Sequence, residues 1–135
     1  MLYAILCYDS EDAVCAWSRD EHAAVMGRLG AVEERLKAER RLGPVAQLMP
    51  TTAATTIRKS KEPVVLDGPF AETKEQLLGF IMVECDSLEH AIETAKEFAR
   101  ANASGGSYEI RPVSVLKPYV PGNAPSGQAP QEQSS

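Results

Sequence analysis

The side chains able to do chemistry are few, and they fall in three places. His22 is one of only two histidines, and an imidazole, titrating near ~6.5, suits general acid–base work at neutral pH. It lies in Ser18-Arg19-Asp20-Glu21-His22, at the start of a helical pattern, where a solvent-exposed histidine is the ordinary arrangement. Glu33 and Glu34 follow eleven and twelve residues later. That is close to three turns of helix but ~16 Å along its axis, so any pairing with His22 is indirect. His90 stands beside a helix-capping residue and is assigned no chemistry.

The second place is LDGPFAETKEQLLGF, residues 66–80. Asp67-Gly68 is a strong turn dipeptide, and a glycine before Pro69 escapes the steric restriction that proline imposes on its predecessor. Thr73 and Gln76 have the spacing of a capping box, which predicts a short helix, and Phe70 is expected to be a core anchor. Glu72, Lys74 and Glu75 are not required by that turn geometry, which leaves them free to face a ligand, with Glu72 a second acid–base candidate. The third place is the pair Arg58 and Arg111, whose forked donors suit a carboxylate or phosphate. With Asp67 or Glu72 they would line one polar pocket for a small anionic molecule; equally, they serve as ion-pair partners for Asp67, Glu72 and Glu109.

Other chemistries have no signature here. No His-x-His, His-x-x-x-His or Cys/His cluster points to a metal, and no nucleophile elbow, phosphate loop or dinucleotide fingerprint points to a cofactor. Cys7, Cys15 and Cys85 are odd in number and form no C-x-x-C pair, which fits reduced thiols in a cytoplasm. A net charge of −5 with scattered basic residues opposes nucleic acid and anionic membrane surfaces as partners. The apolar run of MLYAILCYDS is too short for a secretory segment, and no run approaches the ~20 residues that span a bilayer.

These candidates must be positioned by a single domain, because 135 residues, 44% of them apolar, suffice for one core. Residues 2–8 read as a buried strand, followed by the polar, turn-rich DSEDAVCAWSRDE. Val25, Leu29, Val32 and Leu36 recur on one stripe of a helix spanning residues 20–41, which Gly43-Pro44 stops. Residues 45–49 read as a short strand, and residues 51–57 and 63–66 as a hairpin about a polar turn. After the 66–80 stretch a strand resumes over residues 79–85. Asp86, in a capping box with Glu89, or Ser87 then caps a helix whose stripe includes Leu88, Ile92, Ala95 and Phe98. Gly105-Gly106 ends that helix before a last strand at residues 107–113. Residues 118–135, rich in Pro, Gly, Ser and Gln, are expected to be a disordered tail. The order is a βαββαβ core with an inserted hairpin, a ferredoxin-like α+β layer of two helices on one face of an antiparallel sheet. The strands YAILC and GFIMV are apolar on both sides, so the second face needs a cover, and a homodimer supplies one.

Asp67-Gly68-Pro69-Phe70-Ala71-Glu72-Thr73-Lys74-Glu75-Gln76, followed by Gly79-Phe80, resembles the signature of the DGPF-type branch of the YCII-related family. Thr52-Ala53-Ala54-Thr55-Thr56-Ile57-Arg58 and Glu109-Ile110-Arg111-Pro112-Val113 resemble two further segments of that family, so the likeness runs over residues 1 to about 117. It implies a ferredoxin-like subunit of a dimeric α+β barrel. Family members are bacterial and are sometimes encoded beside, or fused to, extracytoplasmic-function sigma factors, which implies a regulatory setting, with such a factor a candidate partner, but does not by itself imply contact. More distant YCII-like proteins include a His/Asp-dependent dehydrochlorinase, and the wider superfamily includes muconolactone isomerases and small monooxygenases. Two departures stand out. The family's Gly-Gly-Phe is Leu78-Gly79-Phe80 here, and the helix start carries His22 where the DGPF branch demands no histidine.

Two readings of function follow. One is a cytoplasmic, small-molecule-binding or regulatory dimer; the other is a lyase- or isomerase-like enzyme working with His22 or a carboxylate of the 66–80 stretch in an arginine-lined cleft. A purely structural assembly protein is the third class. Fold passes between relatives of this kind far more securely than function.

Overall fold

The computed structural model describes residues 1–102 and 104–118. Strand β1 (Leu2–Asp9) is followed by a five-residue helix α1 (Glu11–Cys15), the long helix α2 (Arg19–Ala38) and strand β2 (Leu42–Gln47). A 3-10 turn at Thr51–Ala53 leads into the hairpin β3 (Thr55–Arg58) and β4 (Val64–Asp67). Strand β5 (Gln76–Glu84), helix α3 (Leu88–Ala101) and strand β6 (Ser107–Pro112) complete the chain. The main sheet has the order β2-β5-β1-β6, every neighbour antiparallel. With the hairpin set aside, that is the ferredoxin-like order, the first and third core strands at the centre.

Alternation along β1 decides which residues meet the helices. Tyr3, Ile5 and Cys7 face Leu29, Val32 and Leu36 of α2 and Ala91, Ala95 and Phe98 of α3. Phe98, Ile5, Leu36 and Val83 are the fully buried centre, and truncating a residue such as Phe98 to alanine costs about 3–5 kcal/mol. The other sheet face presents Leu2, Leu6, Phe80 and Met82, half-buried in the single chain, with Leu6 opposite Phe80.

The helix ends explain how α2 is aimed. Ser18 accepts from Glu21 N–H at 3.0 Å while Glu21 accepts from Ser18 N–H at 2.8 Å, a complete capping box. The helix stops at Ala38 rather than at Gly43-Pro44, because Arg40 takes a left-handed φ of 59° and Gly43 and Pro44 already belong to β2. Arg41 then donates to Glu84 O, Glu39 and Thr94 Oγ1, fastening the chain as it enters the sheet. Across the helical layer, Arg28 Nε donates to Ala101 O at 2.8 Å, so α2 supplies a cap for the last turn of α3. At the other end of α3, Ser87 rather than Asp86 is the N-cap, accepting from His90 N–H at 3.1 Å.

Several local expectations change, each for a visible reason. The polar stretch after β1 contains a helix, α1, because Ser10 accepts from Ala13 N–H. Residues 51–57 do not form one strand: the Glu11 carboxylate accepts from Thr51 N–H at 2.8 Å and Thr51 Oγ1 at 2.6 Å, pulling the first half into the 3-10 turn. No helix forms at Thr73 to Gln76. Thr73 Oγ1 donates to Glu75 O, and the Gln76 amide donates to Thr73 O while accepting from Glu11 N–H, so Gln76 instead begins β5. Phe70, expected in the core, is 77% exposed, because the segment after β4 is tied by these local bonds and not by packing. The hairpin shares that character: Ile57, Val64, Val65 and Leu66 are exposed apolar residues. Of the tail expected at residues 118–135, all but Pro118 lies outside the described residues.

Candidate functional site

A cavity of about 440 Å³ opens between α1, α2 and the end of the sheet, within the roughly 300–1,000 Å³ range of small-molecule sites. Helix α2 contributes His22, Met26, Leu29 and Glu33. Their spacing of four, three and four residues keeps them on one stripe: eleven residues at 100° each bring Glu33 back to within about 20° of His22. This stripe runs beside the core stripe of Val25, Val32 and Leu36, so α2 faces the core and the cavity together.

The opposite wall comes from the sheet. Cys7 and Asp9 end β1, Tyr108 stands in β6 and Phe80 in β5, and Val14 and Trp17 close the side near α1. Trp17, the sole tryptophan of the chain, has its ring centroid 6.3 Å from that of His22, at 53° between planes. Two glycines allow this wall to exist. A Cβ on Gly79 would collide with the Ala46 carbonyl oxygen, so β2 and β5 approach here as only glycine permits, although Leu78 occupies the preceding position. Gly106 has φ +81°, and a Cβ there would meet the Tyr8 carbonyl oxygen and, at 2.9 Å, Asp9 Cγ.

Asp9 is 8% exposed, one of two buried polar residues among the described residues. Its Oδ1 accepts from Ser10 N–H at 2.7 Å, and its Oδ2 has Ser104 Oγ at 3.4 Å. Ser104 has one hydroxyl hydrogen, and the same oxygen lies 2.8 Å from Asn102 Oδ1. Burial pushes the Tyr108 phenol up to about 12, with the neighbouring charges of Cys7 and Asp9 adding to the effect, so it is a neutral hydrogen-bonding group at physiological pH. Burial likewise pushes the Cys7 thiol up to about 11, which makes it a poor nucleophile. Burial, with Glu34 beside it, holds the Glu33 carboxyl above its ordinary value. The cavity therefore offers an imidazole, two carboxyl groups and a phenol around an apolar middle.

The candidates of the 66–80 stretch lie elsewhere. Asp67 and Glu72 line a second, shallower cavity of about 390 Å³ with Thr51, Thr73 and Gln76. Glu75 accepts from Ser107 Oγ at 3.0 Å, which places it near the rim of the first cavity, and Lys74 is exposed and lines neither. Arg58 ends β3 opposite Val64 and Arg111 lies opposite Ala4 in β6, both exposed. Neither arginine lines either cavity. The small anionic ligand expected from that pair thus has no counter-charge in the main cavity, which among the described residues is lined by no arginine or lysine. His22 is exposed at the helix start, as expected, yet edges the cavity. Asp9, Trp17 and Tyr108 escaped the sequence reading. The available signals were a charged residue ending an otherwise apolar strand and a lone tryptophan five residues before His22.

No group of three or more His, Cys, Asp or Glu side chains able to hold a metal ion occurs among the described residues, and no helix there is long and apolar enough to cross a membrane. Comparison with known proteins matches residues 1–117 to the YCII-related domain. An uncharacterized protein of Rhizobium meliloti (strain 1021) is 52% identical over 127 residues, covering 93% of this chain and 100% of that relative. With the ferredoxin-like sheet order and a match over nearly all of the folded part, the chain belongs to the YCII-related family.

Proposed function

We propose that this chain binds a small molecule in the cavity beneath α2 and that His22 moves a proton on it, in the manner of a lyase or isomerase. The observation that supports this is the joining of His22, Glu33, Asp9 and Tyr108 around one cavity of about 440 Å³. His22 and Glu33 sit at opposite ends of it, ~16 Å apart along the helix axis, so they act on a ligand from two sides rather than as a contacting pair. Met26, Leu29 and Ile81 make the middle apolar, which strengthens the polar interactions of a bound molecule. The carboxylate version of the same reading places the chemistry at Glu72 and Asp67 in the shallower cavity, with Lys74 and Glu75 at its approaches. It has fewer apolar contacts to hold a ligand.

Trp17 provides the test. Compounds that occupy the cavity change its fluorescence, and His22→Gln is expected to preserve binding while abolishing turnover of any compound consumed by the wild-type protein. Equal turnover by His22→Gln would remove His22 from the chemistry and leave a binding protein. The sigma-factor setting implied by the family resemblance draws no support from the cavity and is a matter for co-purification.

The same proposal includes a homodimer. A two-stranded hairpin is marginal by itself in water, and this one exposes Ile57, Val64 and Val65, while Leu2, Leu6, Phe80 and Met82 share the second sheet face. A second copy laid against these surfaces would cover both. Light scattering on purified protein should return twice the chain mass of 14.6 kDa; a monomer at micromolar concentration sinks the dimer.

A further inference from the structure

Asp9 is a buried carboxyl at the cavity wall, and its Oδ2 is the more weakly held of its two oxygens. It is more than nine-tenths buried, and among the described residues its Oδ2 has Ser104 Oγ, at 3.4 Å, as its donor. That hydroxyl has a single hydrogen and a second acceptor, Asn102 Oδ1, 2.8 Å away. A buried carboxyl oxygen with one long hydrogen bond can accept another, and this one borders a cavity able to admit a molecule. The other charged or titratable groups facing the same space are His22 and Glu33 from α2, Tyr108 from β6 and Cys7 from β1. No arginine or lysine among the described residues joins them.

We infer that the cavity takes a small aromatic or other ring-bearing amine, its ammonium donating to Asp9 Oδ2 and its ring lying among Trp17, Met26 and Leu29. This deepens the proposed function and rests on it. A carboxylate or phosphate of the same size would enter a space that already holds Asp9 and Glu33, losing its hydration without gaining a counter-charge. An ammonium gains one and adds a charge-assisted hydrogen bond at Oδ2. The backbone-only wall at Gly105 and Gly106 leaves the approach to Asp9 open, since any side chain at Gly106 would press on the Asp9 carboxyl.

The experiment compares phenethylamine, 2-phenylethanol and phenylacetate with the wild-type chain, by Trp17 fluorescence and by calorimetry. The expected order is amine over alcohol over acid. The amine should lead the acid by at least about tenfold, well inside the roughly thousandfold of one charge pair at ~4 Å and an effective dielectric near 20, and Asp9→Asn should remove that lead. If Asp9→Asn fails to fold, the order within the wild-type protein decides alone. Acid binding as well as amine, or better, overturns the amine assignment and leaves the small-molecule site standing. No response to any of the three overturns both. A lead that survives in folded Asp9→Asn overturns the role of Asp9.

Discussion

Replacing Glu11 by alanine tests whether the side chain that follows β1 holds the whole insertion in place. Its carboxylate accepts two hydrogen bonds from Thr51, N–H at 2.8 Å and Oγ1 at 2.6 Å, and its backbone N–H donates to the Gln76 side chain at 2.9 Å. Only the first two depend on the glutamate side chain. A hydrogen bond to a charged acceptor contributes roughly 1.5–3 kcal/mol. Two such bonds from one residue to one carboxylate are not independent, and the site is only partly buried. Glu11→Ala should therefore cost about 2–3 kcal/mol, a substantial part of the 5–15 kcal/mol typical of a domain. Thr51→Val, which keeps the N–H bond, should cost about half of that. The double variant should fall short of the sum by about 1 kcal/mol, because the hydroxyl bond can be lost only once. Urea unfolding followed by Trp17 fluorescence measures all three, and limited proteolysis should cut first near the 3-10 turn Thr51–Ala53 in Glu11→Ala. A Glu11→Ala variant within about 0.5 kcal/mol of wild type, the level of ordinary surface substitutions, or strict additivity with Thr51→Val would refute the reasoning.

Three further outcomes follow from the geometry. Gly79→Ala should lose roughly 1–3 kcal/mol or more, because its Cβ meets the Ala46 backbone, whereas Gly27→Ala, in open space within α2, should gain about 0.5–1 kcal/mol; thermal melts of the pair check both. Iodoacetamide at pH 8 should modify exposed Cys15 first, since a thiol near 11 is only about one part in a thousand thiolate there; mass spectrometry showing Cys7 alkylated as fast as Cys15 would contradict its burial. Burial raises the Glu33 carboxyl in the folded chain, so stability linked to it is fully present below its unfolded value and falls as pH rises through the folded one. Glu33→Gln should accordingly raise the melting temperature at pH 8 and lose that advantage toward pH 3, and an equal effect at both pH values would assign it to something other than ionisation.

The fold was legible because its signals are local and redundant. Apolar runs in β1 and β5 and the 3.6-residue stripe of α3 each carry a pattern that hydrophobic burial enforces; the inserted hairpin, whose apolar residues are exposed, was legible from its β-branched residues and polar turn. The site was only half legible. His22 advertises its chemistry by residue type, but Asp9 and Tyr108 are ordinary strand residues until β1 and β6 pair and turn them toward one space. Arg58 and Arg111 show the reverse: their donors suggested convergence, yet Arg58 stands on the exposed hairpin and Arg111 opposite Ala4 on the sheet face turned away from the helices. Phe70 misled for the related reason that hydrophobicity predicts burial only where something exists to pack against.

The 66–80 stretch divides the two kinds of information cleanly. Its turn, with Gly68 at φ +89°, follows from Asp67-Gly68-Pro69 alone, because a backbone that must reverse at positive φ selects glycine within a few residues. Whether Gln76 ends a helical turn or opens a strand did not follow from the stretch, since its amide is claimed by Glu11, 65 residues earlier in the chain. Local sequence determined the elements and their caps, which depend on neighbours within a turn. Tertiary structure alone decided the cavity, because its walls come from β1, α2, β5 and β6, and only their packing brings an acid, an imidazole and a phenol around the same empty volume.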